Sequence, residues 1–151
     1  MLEPAARAIL RQMQSDPSLS VPELAERLGE TPARVARRID RMEADGLILG
    51  QNWEIDWAAL GFAVAVSLRI TLDKTQARAF DDFLAAAREV PQVLEIQTFL
   101  GRVDVRLSLI ARDLPDYHRL YRDHILTLPH IADIEALMDV SNVKSDRTLP
   151  I

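Results

Sequence analysis

The chain has 151 residues, of which 48% are hydrophobic and 27% charged, with a net charge of −5. That balance fits one ordinary globular domain or two small ones and argues against disorder over most of the length. The lack of cysteine excludes a disulfide-stapled fold and any thiolate metal site. No apolar run approaches the roughly 20 residues that span a bilayer, and the first residues carry no basic and apolar leader pattern, so a cytoplasmic protein with no membrane partner is expected.

The acidic total hides a local excess of arginine. Residues 1–52 hold seven Arg against eight Asp and Glu, and four of those arginines, Arg34, Arg37, Arg38 and Arg41, fall within one short segment. Lys74 and Lys144 are the only lysines.

Taken in chain order, three helices come first. Ala6, Ile9, Leu10 and Met13 recur at i, i+3, i+4, i+7 and so share a face, and the helix ends at Ser15-Asp16-Pro17-Ser18 because proline cannot continue it. Ser20 with Glu23 three places on forms a capping box for a second helix, whose stripe is Val21, Leu24, Ala25 and Leu28. Gly29 supplies a left-handed stop. Thr31 is placed to cap a third helix with Pro32 at its first position, and Val35, Ile39 and Met42 are its apolar stripe before Asp45-Gly46. Two helices joined by a tight glycine-containing turn, with a third before them, is the helix-turn-helix plan. Leu47-Ile48-Leu49 reads as a short wing strand, and a strand is also expected around Trp53-Glu54-Ile55.

Beyond Gly61 the period changes to two. Phe62, Val64, Val66, Leu68, Ile70 and Leu72 alternate with smaller or polar residues, which predicts a strand. Residues 74–89 are expected to be helical with Ala77, Phe80, Leu84 and Ala87 inward. Strands follow at Val93–Leu100 and over Val103, Val105, Leu107 and Leu109, with Gly101-Arg102 as the turn between them. Asp113 caps a helix with stripe Tyr117, Leu120, Tyr121, Ile125 and Leu128, and His124, on the face of Leu120 and Leu128, is expected to be packed or interfacial. Ile131–Val140 is the last strand. Val90-Pro91 and Leu128-Pro129 each close a helix and open a strand, a weak internal repeat that fits a βαββαβ unit.

The predicted fold is therefore α+β. A winged helix-turn-helix domain (1–52) leads through a linker (53–61) to a ferredoxin-like βαββαβ domain (62–140) and a loosely specified polar tail (141–151).

The four arginines stand at i, i+3, i+4, i+7 on the third helix, roughly 115° from the apolar stripe at 100° per residue. A helix with an apolar face in the core and an adjacent guanidinium face suits the major groove of double-stranded DNA, whose base edges and phosphates arginine can both contact. Ala33, Arg34 and Arg37, nearest the helix start, are best placed for bases, and Arg38 and Arg41 for phosphates. The free N–H groups at Thr31–Ala33 could hold one phosphate. The alternative is a solvated helix face with its arginines paired to Glu30, Asp45 or other acids.

The segments Leu24-Ala25-x-x-Leu28-Gly29 and Val35-x-x-Arg38-Ile39-x-x-Met42-Glu43-x-x-Gly46-x-Ile48 resemble the helix-turn-helix of the Lrp/AsnC (feast/famine) transcriptional regulators. The resemblance continues through Leu60-Gly61, Gly101-x-x-Asp104, Val143-Lys144 and Leu149-Pro150. It implies a DNA-binding domain joined to a domain that senses an amino acid or related metabolite, and a homodimer formed through the sheet that can extend to an octamer. It also implies that Asp104 accepts an effector's ammonium while backbone near Gly101 approaches the effector closely; the other reading makes Gly101 a plain turn and Asp104 solvent-facing. Where the family has Thr/Ser-Gly-x-aromatic-Asp, this chain has Leu100-Gly101-Arg102-Val103-Asp104, without the hydroxyl and the aromatic ring.

Siroheme decarboxylases share this plan and keep an enzyme in contention, but they carry an Arg-Arg-Ile-Gly-like stretch and histidines near the tetrapyrrole, whereas Leu47–Trp53 here has neither. No acid/base pair or phosphate-cradling glycine loop is evident, no cofactor is implied, and His118, His124 and His130 lack the spacing of a metal site. A module that kept the fold and lost DNA binding is the third reading.

Overall fold

The computed structural model describes residues 2–144 and 148–151. The chain divides into two compact units, one of residues up to Glu54 together with the last residues from Lys144, the other spanning Ile55–Val143.

The first unit holds α1 (Pro4–Ser15), α2 (Val21–Leu28) and α3 (Pro32–Ala44). Ala6, Ile9, Leu24, Ala25, Val35 and Met42 form its core, with Leu10, Met13, Val21, Leu28 and Ile39 packed around them. These are the expected stripes. The Ser20–Glu23 capping box is formed in both directions. Gly29 sits at φ 65°, and the N–H groups of Gly29 and Glu30 return to Glu26 and Ala25, the two bonds of a Schellman stop. Thr31 occupies the N-cap of α3 in extended conformation, but its side chain makes no capping bond.

The expected wing strand is not formed, and neither is a strand at Trp53–Ile55. After α3 the chain stops at Gly46 (φ 70°), and the N–H groups of Leu47 and Ile48 both turn back to the Met42 carbonyl. A second Schellman stop thus takes the donors that a wing ladder would have used. The tail expected to be loosely specified is bound to α1. The Leu149 N–H donates to Gln14 Oε1 at 2.6 Å, the Gln14 amide donates back to the Leu149 carbonyl, and Arg11 donates to the Ile151 carbonyl. The tail residues Ser145, Asp146 and Arg147 lie outside the described residues.

The second unit holds β1 (Val64–Leu72), α4 (Ala79–Arg88), β2 (Val93–Thr98), β3 (Val105–Ala111), α5 (Leu114–Leu120), a π-helical turn (Tyr121–Ile125) and β4 (Ile131–Met138). The sheet is antiparallel in the order β2-β3-β1-β4, the order expected of a βαββαβ sandwich. Val66, Leu68, Ile70 and Leu72 on β1 and Val105, Leu107, Leu109 and Ala111 on β3 alternate inward and meet Phe83, Ala87, Tyr117, Leu120 and Ile125 of the helices. Fully burying a side chain such as Phe83 or Ile125 contributes about 1.5–3 kcal/mol.

Three expectations need correction in this unit. The helix expected from residue 74 begins at Ala79, because Asp73 Oδ1 accepts both the N–H and the hydroxyl of Thr75 and holds that stretch as a turn. Its buried line is consequently Ala79, Phe83 and Ala87, with Phe80 and Leu84 partly covered and Ala77 exposed. Of the two places expected for His124, packing in the core is excluded: it is exposed, because the wide π turn brings Ile125, five residues after Leu120, to the inward position.

Candidate nucleic-acid interface and effector hairpin

Val35 and Met42 anchor α3 in the core at 0% and 5% exposure, and that anchoring turns the arginine face outward. Arg34, Arg37, Arg38 and Arg41, together with Glu3 from just before α1, line a concavity of about 300 Å³. All four arginines are thus brought together, but their states differ. Arg34 and Arg38 both reach Glu30, at 3.4 and 3.3 Å, and Arg38 also reaches Glu3 at 3.7 Å. Arg41 pairs with Asp45 at 3.7 Å. Arg37 is exposed and makes no ion pair among the described residues.

Arg38 has the least exposed side chain of the three paired arginines, 25% against 64% for Arg34 and 83% for Arg41. To meet a phosphate it must give up a carboxylate. Exposed ion pairs of this kind contribute only about 0–1 kcal/mol each, so a phosphate exchanges for them readily. Glu30 and Asp45 were foreseeable as partners from their spacing of four along the chain. Glu3 was not, because only the packing of α1 brings it to α3. Pro32 has no N–H, so the donors at the helix start come from Thr31 and Ala33. A larger groove of about 760 Å³ in the same unit, lined by Leu10, Met13, Ile48 and Trp53 among others, shares no residue with the arginine concavity.

In the second unit the β2–β3 hairpin carries the other candidate residues. Asp104 does not face solvent; it is 2% exposed. Its Oδ2 accepts the Leu72 N–H at 2.9 Å and its Oδ1 lies 2.8 Å from Lys74 Nζ. Its own N–H donates to the Ile70 carbonyl, and its carbonyl accepts from Phe99. Burial alone would raise this carboxyl, but the bonds from Lys74 and Leu72 and the lysine charge outweigh it and hold Asp104 below the ordinary aspartate value. Asp104 is thus tied to the end of β1. Lys74 was missed in the sequence because thirty positions separate it from Asp104, and only the Ile70–Val105 register brings the two together.

Gly101 lies at the exposed tip with φ 159°, and a Cβ there would meet nothing within 4 Å. No neighbouring atom demands glycine at this position, but the positive φ itself favours it. Leu100 beside it is fully exposed. No group of three histidines, aspartates or glutamates that could hold a metal occurs among the described residues, and no helix among them is long and apolar enough to cross a membrane.

Comparison with known proteins agrees with both halves of this geometry. Residues 2–48 match the winged helix-turn-helix DNA-binding family and residues 65–149 match the Lrp/AsnC ligand-binding domain. The chain is 30% identical to the proline dehydrogenase transcriptional activator of Rhodobacter capsulatus, over 87% of this chain and 86% of that protein. It is 28% identical to the leucine-responsive regulatory protein of Salmonella typhimurium, over 96% and 88%. An AsnC family regulator from Agrobacterium tumefaciens superposes with a TM-score of 0.87 at 28% identity, covering 99% of this chain and 97% of that one. A Neisseria meningitidis transcriptional regulator crystallised with L-methionine superposes at 0.90 with 22% identity and the same coverage. The helix-turn-helix, the βαββαβ sheet and these matches together place the chain in the Lrp/AsnC family of transcriptional regulators.

Proposed function

We propose that the protein is a sequence-specific DNA-binding regulator, not an enzyme, whose second unit reads an amino acid or a closely related metabolite. The observation that carries the DNA half is Arg37, exposed and without an ion-pair partner among the described residues, on the arginine face of the second helix of a helix-turn-helix. Arg34 and Arg37 reach base edges from the start of α3, with Ala33 beside them. Arg38 and Arg41 meet phosphates, and the N–H groups of Thr31 and Ala33 add a contact at the helix start. The Neisseria relative binds L-methionine and the Salmonella relative is leucine-responsive by name, which supports an amino-acid effector here.

The effector site we favour is the hairpin around Gly101 and Asp104. Glycine at the tip has a positive φ that residues with side chains rarely adopt, and its missing side chain also leaves room for a ligand. The working form is a homodimer built on the open sheet face opposite the helices, extendable to an octamer. Two recognition helices then lie about one DNA turn apart on a pseudo-palindromic site. Ligand binding alters that assembly only to the extent that it favours one state over the other.

Selection of bound sequences from random duplex DNA, with and without a mixture of the twenty amino acids, tests the reading. An enriched pseudo-palindrome whose yield changes with amino acids supports it. No enrichment in either condition overturns it.

A further inference from the structure

Resting on the hairpin as the effector site, we propose that Lys74 is a resident competitor for the effector's ammonium. It occupies Asp104, so an amino acid that binds there must first displace the lysine.

The geometry gives each partner a distinct part. Asp104 cannot leave, because its side chain is 3% exposed, Leu72 donates to its second oxygen and its backbone is paired to Ile70 and Phe99. Lys74 can leave, because its side chain is 58% exposed and can swing out into solvent. Its backbone is nevertheless held in place. The neighbouring Asp73 accepts from Thr75 at 3.0 and 2.7 Å, and the Asp73 N–H donates to the His130 carbonyl at 2.8 Å. The lysine is therefore presented to Asp104 by a fixed turn while its ammonium remains exchangeable. With both charges in place the site is neutral, and an incoming ammonium gains no net attraction. The hairpin has no hydroxyl at Leu100 to compensate. Amino-acid affinity is then governed by how readily the internal amine yields to the external one, and an effector lacking an ammonium has nothing to displace.

The test is calorimetric titration of the full chain with L-leucine and L-methionine, and with 4-methylpentanoate as an acid lacking the ammonium. K74M is expected to bind the amino acids up to about fivefold more tightly than wild type, the scale of one partly exposed ion pair. K74Q should gain likewise, and K74R should match wild type because it keeps the cation. Adding D104N to K74M should abolish the gain, and 4-methylpentanoate, an anion facing the uncompensated Asp104 charge, should show no gain in K74M or K74Q. Thermal melts establish that each variant is folded. Weaker amino-acid binding by K74M would make Lys74 an effector contact and overturn the proposal, as would unchanged binding. Absence of binding by every variant would also overturn it, and would additionally remove the hairpin as the effector site, which separates that failure from the other two.

Discussion

Glu30 lies within 3.4 Å of both Arg34 and Arg38, so one carboxylate at the turn of the helix-turn-helix engages half of the arginine face. Removing that carboxylate releases Arg34 and leaves Arg38 held by Glu3 alone. E30Q is expected to bind non-specific duplex several-fold more tightly at about 0.1 M salt and to steepen the dependence of log K on log salt by roughly 1–2. Discrimination between selected and scrambled sites should fall, because the added contacts go to phosphate. Fluorescence anisotropy across a salt series measures all three.

Arg37 has no carboxylate to give up among the described residues, and in the proposed reading it stands nearest the bases with Arg34. R37A should cost about 1–3 kcal/mol on the selected site and little on scrambled DNA. R41A should weaken both by a similar factor and reduce the salt slope by about 1. If R37A and R41A behaved alike on the two sequences, the division between base and phosphate contacts would be wrong.

Asp104 titrates below its ordinary value in the folded chain, so the unfolded chain binds the proton more tightly. The stabilisation by this ionised group is complete above the unfolded aspartate value, near pH 4, and is lost as pH falls through the lower folded value. D104N should lower the melting temperature at pH 7 by a few degrees and flatten the acid decline. Asp73 and Asp116 are also held low and contribute to the wild-type decline, so the difference between the two melting curves from pH 7 to about pH 2.5 is the informative quantity.

The entry and exit of α2 set how sharply α3 is aimed. S20A removes one side of the capping box and should cost about 1 kcal/mol. G29A forces a Cβ into a left-handed residue at φ 65°, although nothing lies within 4 Å of it, so its cost of about 1 kcal/mol is purely conformational. Chemical denaturation of each variant gives both values, and the double variant should be close to additive.

The parts of the fold legible in the sequence were those set by local rules. The stripes of α1, α2 and α3, the Ser20–Glu23 box, the Gly29 stop and the alternation of Val66 through Leu72 each depend on neighbours within a turn or two, and each is formed. The arginine face was legible for the same reason. What was not legible depends on partners far along the chain. Leu47–Leu49 looks like a strand until the Met42 carbonyl takes its donors. His124 belongs inward on an α-helix, and only the π turn excludes it. The Lys74–Asp104 pair requires the β1–β3 register, which no local pattern encodes.

That register also has a consequence in time. β1 sits at the centre of the sheet, and its partners come much later: Val66 lies opposite Leu109 on one side and Met138 on the other. At roughly 5–20 residues per second of synthesis, β1 waits several seconds with Val66, Leu68 and Ile70 uncovered before β4 exists to flank it. During that interval the nascent chain is a substrate for holding chaperones and for pairing with a neighbouring copy. The three-helix core of the first unit is complete by Ala44 and has no comparable wait; only the bonds of Leu149 and Ile151 to Gln14 and Arg11 come later.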